Sequence, residues 1–485
     1  MVGVVTMEGA VTKPAKDCAD RASDRVFVDG SSGLPTPQRY WAVAAISTGI
    51  GLSVIDGFIV NIALPTIAED FAITASQSVL IVNAYQLTAT MALLPLAALG
   101  DKIGYRRIYH TGFVLFILAS LCCAAASNLI SLTAARALQG LGAAGIMCVG
   151  TALIRSVYPA SLLGRGLGIN AVVVAASSAA GPSLGGLVLA MSSWQWLFLI
   201  NIPVGLAGLA LGLKHLPWNR PVQTPFDFIS ALLSVLTFGS ILFLIDCIGH
   251  GQGIIYLIPL GVFALVVGRE FVRRQLASRA PILPVDLLRN PLFFLSVMTA
   301  ITYFCAQMLT FVSLPFFLSL RLHMDAASIG MVFTAWPLAV MCTALLAGRL
   351  ADRYSAGVLG GIGLTVGAIG LFLLDDLAEH HTVFDIVWRL GLCGAGFGLF
   401  QIPNTRFMVG TAPRNRAGSV SGMLGTIRLT GHTIGASLAA LMLNIFNGQA
   451  QSGLHLALAL ACLAAVFSSA RLCKRFNDAA NPAIK

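Results

Sequence analysis

Hydrophobic residues in this chain occur in runs of about twenty, separated by short polar segments. Runs of this length cross a bilayer as helices, because lipid offers the backbone no hydrogen-bond partners. The pattern therefore predicts fourteen membrane helices. They lie near 40–63, 78–98, 108–127, 129–154, 166–190, 195–213, 226–248, 254–268, 292–318, 327–347, 356–374, 384–405, 418–443 and 454–470.

The composition is far from that of a soluble protein. Of the 485 residues, 57% are hydrophobic and 10% are charged, whereas charged residues make up about 25% of ordinary soluble domains. The net charge of +10 is spread in small groups between the apolar runs, so nucleic-acid binding is not expected. The cysteines lack the paired spacing of metal ligands, and no metal or cofactor is predicted. The sequence indicates an all-α integral membrane protein that contacts the lipid bilayer.

Lysine and arginine residues are distributed asymmetrically between alternate loops. Apart from Arg136, Arg389 and Arg428 within predicted helices and Arg321 on the opposite side, they fall in one set of loops and in the terminal segments. Basic residues of short loops are retained on the cytoplasmic side. The asymmetry predicts a multi-pass plasma-membrane protein, in bacteria an inner-membrane protein, with both termini in the cytoplasm.

The first six and the last six predicted helices look like copies of one another. Gly140 and Gly142 recur as Gly394 and Gly396, 254 positions later. Such repeats let two halves of a transporter rock around a central site. The predicted organisation is a cytoplasmic tail at 1–38 without a removable signal peptide, a six-helix half at 39–214, two central helices and a cytoplasmic loop at 215–290, a second half at 291–473 and a cytoplasmic tail at 474–485.

Two charged residues lie inside helices of the first half. Asp56 is in the first helix, where a charge costs at least ~2.5 kcal/mol and protonation relieves that cost. We interpret Asp56 as a proton carrier, with a carboxylate satisfied by helix packing as the alternative. Arg136, in the fourth helix, keeps its proton and needs an anion, a carbonyl or water nearby. It serves either proton coupling or a purely structural hydrogen-bond network.

The loop between the second and third helices combines an acid, a glycine and two arginines, and its counterpart in the second half repeats an acid and an arginine. The positions are Asp101, Gly104, Arg106 and Arg107 in the first half and Asp352 and Arg353 in the second. Charges in such a tight turn can pair with neighbouring helix ends and gate the cytoplasmic mouth. A topology signal alone would explain the arginines but not Asp101.

The fifth helix contains Gly181, Pro182, Gly185 and Gly186. The proline removes one backbone hydrogen bond, and the glycines let another helix approach closely. This combination predicts a tightly packed seam that can bend. A static packing motif is the alternative.

Further polar and aromatic residues inside helices are candidates for a substrate cavity. Arg428 and His432 lie one turn apart on one helix face and can contact an anionic or polar part of a substrate, although a lone histidine is often only hydrogen-bonded. Asp246, near the outer end of the seventh helix, is expected at the membrane interface. The cavity candidates are Asn61, Tyr85, Phe304, Trp336, Arg389, Arg428 and His432.

These motifs resemble those of the major facilitator superfamily. The segment 99–107 resembles its loop signature, Arg136 with Gln139, Gly140 and Gly142 its fourth-helix motif, and 181–186 its fifth-helix antiporter motif. The segments 56–65 and 194–203 are similar to the fourteen-helix drug:proton antiporter branch. The chain departs from the usual patterns at Ala97, Ser177 and Leu80. The resemblance implies proton coupling for Asp56 and Arg136 and a gate at Asp101.

The combined interpretation is a proton-coupled antiporter that exports small lipophilic or cationic compounds by alternating access, as a multidrug efflux protein does. Its partners are then protons and a small-molecule substrate. No ATP-binding glycine loop is present, so an ion gradient or a partner supplies the energy. A dedicated metabolite or siderophore exporter, a proton symporter and a membrane sensor are the alternatives. An enzyme is not expected, since no catalytic constellation is found.

Overall fold

The computed structural model describes residues 33–159, 162–218, 227–250, 253–278, 281–351, 353–377, 382–411 and 417–480. In these residues the chain forms long helices and no strands. Their bounds are α1 (Gln38–Asp70), α2 (Ala75–Ile103), α3 (Tyr105–Ala124), α4 (Leu129–Val157), α5 (Leu163–Met191), α6 (Trp196–His215, interrupted at Ile200), α7 (Phe228–Gly249), α8 (Ile254–Ala277), α9 (Pro291–Phe316), α10 (Ala326–Leu350, interrupted at Thr334), α11 (Ala356–Asp375), α12 (Val383–Thr411), α13 (Ala417–Ile445) and α14 (Gln451–Ala480).

Thirteen of these helices, within the described part of the chain, are long and apolar enough to cross a membrane. The remaining one, α13, is 29 residues long and contains Arg428 and His432, which make it less apolar. The predicted all-α membrane fold is therefore confirmed. Helix α8 continues to Ala277, beyond the predicted end at 268, because the helix extends past its apolar run into polar final turns.

Local side-chain contacts fix where several helices begin. At α2, the Thr74 hydroxyl accepts a hydrogen bond from the backbone N–H of Gln77, and the Gln77 side chain accepts one from the backbone N–H of Thr74. Asn128 and Ser131 form the same capping box at α4. At α10, both the hydroxyl and the backbone N–H of Ser328 donate to Asp325, which lowers the pKa of this exposed carboxyl. Such caps satisfy backbone groups that would otherwise lack partners.

Glycines position equivalent helices in the two halves. In the first half, α4 packs between α2 and α3, with Gly140 against the Tyr85 carbonyl and Gly142 against the Phe116 backbone. In the second half, α12 packs between α10 and α11, with Gly394 against the Trp336 carbonyl. A side chain at these positions would overlap the neighbouring backbone. The 254-residue repeat thus reproduces the same packing twice.

The helices α7 and α8 lie outside the two sets of six. Helix α7 packs against α2 of the first half and α13 of the second, whereas α8 packs mainly against α7. In the apolar stretch of α8, only 17% of the residues are buried within the described structure. The helix α7 consequently contacts both halves, and most of α8 is left for lipid.

The two halves meet along α2 with α13 and along α5 with α10. We call the face where α1 begins the proximal face and the opposite face the distal face. Near the distal face, Ser76 donates to the Ala440 carbonyl at 3.0 Å, and the Ser183 and Thr334 hydroxyls are hydrogen-bonded. The halves are therefore joined at their distal ends.

Candidate functional site

The carboxylate of Asp56 is completely buried inside the first half and is surrounded by hydrogen-bond donors. Its Oδ2 lies 2.5 Å from an Arg136 guanidinium nitrogen. Its Oδ1 accepts from the Gln139 amide at 2.9 Å and from the Asn201 amide at 2.7 Å. Helices α1, α4 and α6 thus converge on one carboxylate. Three side chains thus donate hydrogen bonds to the two oxygens of this carboxylate.

Arg136 is held by more than this ion pair. One of its nitrogens also donates to the Gln139 side chain at 2.5 Å, and its Nε donates to the Ile81 carbonyl at 3.3 Å. The guanidinium lies 4.3 Å from the ring centroid of Tyr85. A buried charge with this many partners is costly to leave unpaired. Asp56 and Arg136, the predicted proton-coupling residues, therefore belong to one hydrogen-bonded network. Their role in proton coupling stays a prediction.

Among the described residues of the second half, none forms a counterpart of this network. Gly181 packs against the Ile55 carbonyl and Gly435, its repeat partner, against the Cys305 carbonyl, so Ala306 corresponds to Asp56. The positions 254 residues after Arg136 and Gln139 are Leu390 and Cys393, both buried. Since an apolar cluster serves the same packing position in the second half, the fold does not require the charged one.

A cavity of about 90 Å³ lies between the two halves, midway along the helices. It is smaller than the ≈ 300–1,000 Å³ of most drug-sized ligand pockets, so a larger ligand requires the halves to move apart. Helices α1, α2, α4, α5, α9, α12 and α13 contribute its wall. The lining residues include Ser53, Gly57, Phe58, Tyr85, Gln86, Ser178, Phe304, Gln307, Phe397, Gln401, Arg428 and His432.

Tyr85 connects the cavity to the buried ion pair. Its side chain lines the cavity, its ring lies against the Arg136 guanidinium, and its hydroxyl donates to the Ser53 carbonyl at 2.9 Å. Asp56 itself faces the interior of the first half, whereas its neighbour Gly57 lines the cavity. A change at the ion pair can therefore reach the cavity through one side chain.

The cavity candidates fall into two groups. Tyr85, Phe304, Arg428 and His432 line the cavity, and Asn61, Trp336 and Arg389 lie outside it. Asn61 is completely buried in the distal part of α1, and Trp336 packs against Phe311 with ring centroids 5.4 Å apart. The Arg389 guanidinium lies near the distal end of α12, 5.4 Å from the Trp388 ring centroid. Helix register, which decides the side that each residue faces, separates the groups.

The predicted gate residues occupy the proximal ends of α2 and α3. Gly104 joins these helices with φ +105°, a conformation that side chains rarely allow. The Tyr105 hydroxyl donates to Asp101 at 2.5 Å. Arg106 donates to the Leu213 carbonyl at the end of α6, and the Arg106 and Arg107 guanidinium groups lie 4.6 Å and 5.8 Å from the Trp218 ring centroid. All of these contacts lie within the first half, where they join the ends of α2, α3 and α6.

The corresponding loop of the second half is described only in part. Arg353 is exposed after the end of α10, and Asp352 lies outside the described residues. The predicted pairing of Asp352 stays a prediction.

The glycines of the fifth-helix motif face two different neighbours. A side-chain carbon at Gly181 or Gly185 would lie 3.1 or 3.0 Å from an α1 carbonyl oxygen, at Ile55 or Ile59. One at Gly186 would lie 2.8 Å from the Cα atom of Gly330 on α10. Pro182, which is buried, lies between these positions, and its carbonyl oxygen faces Gly330 of α10. The motif thus brings α5 against α1 beside Asp56 and against the other half near the distal face.

A family model described as Major Facilitator Superfamily matches residues 46–436. The chain belongs to this superfamily. Its members are transporters, so the chain is a multi-pass membrane transporter and not an enzyme. This confirms the prediction of a membrane transporter and the prediction that the protein is not an enzyme.

The chain is similar to three curated transporters whose names indicate different substrates or none. It is 48% identical over 441 residues to "Uncharacterized transporter YebQ" of Escherichia coli (strain K12), covering 90% of this chain and 96% of YebQ. It is 30% identical over 400 residues to "Riboflavin transporter RibZ" of Clostridioides difficile (strain 630), covering 82% and 87%. It is 31% identical over 396 residues to "Multidrug resistance protein Stp" of Mycobacterium tuberculosis (strain ATCC 25618 / H37Rv), covering 80% and 73%. The last name agrees with the predicted drug:proton antiporter branch.

The structure also gives a buried position to Asp246, which was expected at the membrane interface. The residue is 8% exposed, and its side chain lies against both halves. Asn83 of α2 donates to it, and the Ser437 hydroxyl of α13 donates to it at 3.4 Å. His250 lies 3.6 Å from the same carboxylate. The position of Asp246 in the last turn of α7 agrees with the expected depth, and its burial follows from the packing of α7 against α2 and α13.

Other polar groups could not be selected from the sequence. Asn201 follows the tryptophan-containing segment at 194–196 and gave no signal beyond its family motif, yet it donates directly to Asp56. Arg471, buried in α14, donates to the Asn404 side chain of α12 at 2.8 Å. It lies just after the last predicted apolar run, which ends at 470, so no apolar pattern indicated its burial. Both contacts join residues far apart in the chain, so sequence spacing does not reveal them.

Proposed function

We propose that this transporter is a proton-coupled exporter of small organic molecules in the bacterial inner membrane, with its proximal face and both termini in the cytoplasm. The observation that carries the proposal is the buried Asp56–Arg136 pair, which is linked to the central cavity by Tyr85. Ionisable residues inside membrane helices generally serve transport or coupling. In the second half, apolar residues occupy the positions that are equivalent to Asp56 and Arg136. Helix packing alone therefore does not explain why the first half contains a charged pair.

Protonation of Asp56 would neutralise the partner of Arg136. The arginine keeps its charge, and an unpaired buried charge is strongly unfavourable. Arg136 must then find other partners, and its movement displaces the Tyr85 ring that lies against it. Since Tyr85 lines the cavity, proton binding and substrate binding become linked. Each therefore changes the affinity for the other by the same factor.

Alternating access would use the contacts between the halves. The distal contacts at Ser76, Ser183 and Gly186 close the cavity on that side. Their separation would open the cavity to the distal face and admit protons to the first half. The internal repeat supplies two similar halves for this rocking movement.

Export of several unrelated compounds is our first candidate for substrate breadth, supported by the name of Stp and by the phenylalanines of the cavity wall. A dedicated exporter of one metabolite is the second candidate. Three amide side chains, Gln86, Gln307 and Gln401, line the small cavity and would favour one hydrogen-bonding pattern over others. The name of RibZ, a riboflavin transporter, supports this candidate.

The test is proton movement in proteoliposomes that carry a pH gradient. In the wild-type protein, added substrates should drive proton flux in the opposite direction. The Asp56→Asn variant should bind substrate but show no substrate-dependent proton flux. The Asp375→Asn variant is the matched control, because it removes a carboxylate at the distal end of α11, paired there with His455 at 2.8 Å.

Each alternative predicts another outcome. Proton and substrate movement in the same direction would indicate a symporter. Substrate binding without any flux in the wild-type protein would favour a sensor. Proton coupling that survives in Asp56→Asn would contradict the assigned role of Asp56.

A further inference from the structure

The central cavity contains a charged group for which the described part of the chain supplies no hydrogen-bond or ion-pair partner. Arg428, on α13, lines the cavity and is half-buried. Among the residues that the structure describes, none forms a hydrogen bond or an ion pair with it. This contrasts with Arg136, whose charge is matched by Asp56. A guanidinium group inside a membrane protein without an anion is costly even where it lines a cavity, so the half-buried Arg428 is suited to receive an anion from outside the chain.

A second polar group, the His432 imidazole, also lines the cavity. His432, one turn after Arg428, is 4% exposed, and its buried Nε2 atom has no hydrogen-bond partner among the described residues. Its ring lies 5.8 Å from that of Phe58 and 5.4 Å from that of Phe304. Aromatic rings therefore surround one end of the polar pair. A molecule that fits here has an apolar body and a polar or charged group close to it.

The cavity offers no charge to a cation. None of the described residues that line it is an aspartate or a glutamate. The nearby carboxylate of Asp56 faces the interior of the first half and is already bonded by Arg136, Gln139 and Asn201. A cation in the cavity would meet Arg428 before any available carboxylate. The expected preference for lipophilic cations thus has no support from the charges of the wall.

We propose that the cavity selects small organic anions, such as aromatic carboxylates, with the anionic group on Arg428 and the apolar body between Phe58, Phe304 and Phe397. The planar guanidinium donates two parallel hydrogen bonds to a carboxylate. His432 Nε2 adds a polar contact at the boundary between the anionic group and the ring. The proposal deepens the proposed export function, on which it rests for direction and coupling.

The test of the site is binding, which does not depend on transport. Purified protein in lipid nanodiscs is titrated with 2-naphthoate, 2-naphthamide and 2-naphthylmethylammonium by calorimetry. These ligands share one ring system and differ in charge. In the wild-type protein, the carboxylate should bind about tenfold more tightly than the amide, or better, as a charge-assisted hydrogen bond implies, and the cation should bind most weakly.

Variants show whether Arg428 is responsible. The Arg428→Gln variant should bind carboxylate and amide with equal affinity, and Arg428→Lys should retain part of the preference. Arg389→Gln is the matched control, since it removes an arginine from another membrane helix outside the cavity, and the preference should persist. Size-exclusion profiles establish that each variant folds. The proposal is overturned if the cation binds most tightly, if no ligand binds the wild type, or if Arg428→Gln keeps the preference.

Charge movement distinguishes this proposal from the proposed function. Export of one monovalent anion for one entering proton moves two positive charges inward, so an inside-negative potential should accelerate it. Exchange of one monovalent cation for one proton moves no net charge. Naphthoate binding that depends on Arg428 without any proton flux would leave the anion site standing and refute proton coupling alone. Proton-coupled transport that is restricted to cations would do the reverse.

Discussion

The Arg136 guanidinium lies 4.3 Å from the ring centroid of Tyr85, and that ring also forms part of the wall of the central cavity. The charge itself has no exposed surface. Substrate in the cavity and the carboxylate of Asp56 are thus separated by two side chains in contact. This relationship places the ion pair close enough to respond to substrate, yet sealed from the solution in the cavity.

Breaking the ion pair should destabilise the protein more than removing it entirely. Asp56→Asn leaves Arg136 as an unmatched buried charge, and we expect a loss of ~3–5 kcal/mol in the free energy of unfolding. The Asp56→Asn/Arg136→Gln double variant should lose less than Asp56→Asn alone, and so less than the sum of the two single variants. Chemical unfolding in detergent micelles measures both quantities. Asp325→Asn, at an exposed helix cap, is the control. Additive losses would show that the two side chains do not interact.

Replacing Tyr85 should separate the role of its ring from that of its hydroxyl. Tyr85→Phe loses one buried hydrogen bond to the Ser53 carbonyl, which costs ~1 kcal/mol in stability, but keeps the ring against Arg136. Tyr85→Leu loses both contacts. We expect substrate-dependent proton flux to persist in the phenylalanine variant and to fall strongly in the leucine variant. Equal flux in both would show that the ring does not connect the two sites.

A side chain at Gly186 should wedge the halves apart near the distal face. An added methyl group would lie 2.8 Å from the Cα atom of Gly330, so Gly186→Ala should favour a state with separated distal ends. Labelling of a cysteine introduced at Ser183 with an impermeant maleimide, in a background that lacks the native cysteines, measures this opening. Gly348→Ala is the control, since nothing lies within 4 Å of its added carbon. Unchanged labelling would mean that the contact does not limit opening.

Asp246 should contribute to the same closure from α7. Its carboxylate accepts from Asn83 of one half and Ser437 of the other. Asp246→Ala removes both contacts, and we expect increased labelling of a cysteine at Ser76, which lies in the same distal contact. Asp227→Ala, at the exposed beginning of α7, should leave labelling unchanged. If both variants label alike, α7 is a passive neighbour of the interface.

Sequence determined the membrane helices and their repetition. A run of apolar residues long enough to span a bilayer has no stable alternative to a helix there, so α1 to α14 followed from local composition. Caps such as Thr74 with Gln77 operate within four residues. The repeated glycines likewise predicted equivalent close packing, which Gly140 and Gly394 display.

Tertiary structure decided which of the polar residues meet. Asp56 and Arg136 are 80 positions apart, and their contact depends on the register of α1 against α4. The same registers turn Arg428 into the cavity, leave Arg389 outside it and bury Asp246 between the halves. Helix formation depends on neighbouring residues and the bilayer, whereas the direction of each side chain depends on packing between distant helices. Local patterns therefore identified the polar residues but not their partners.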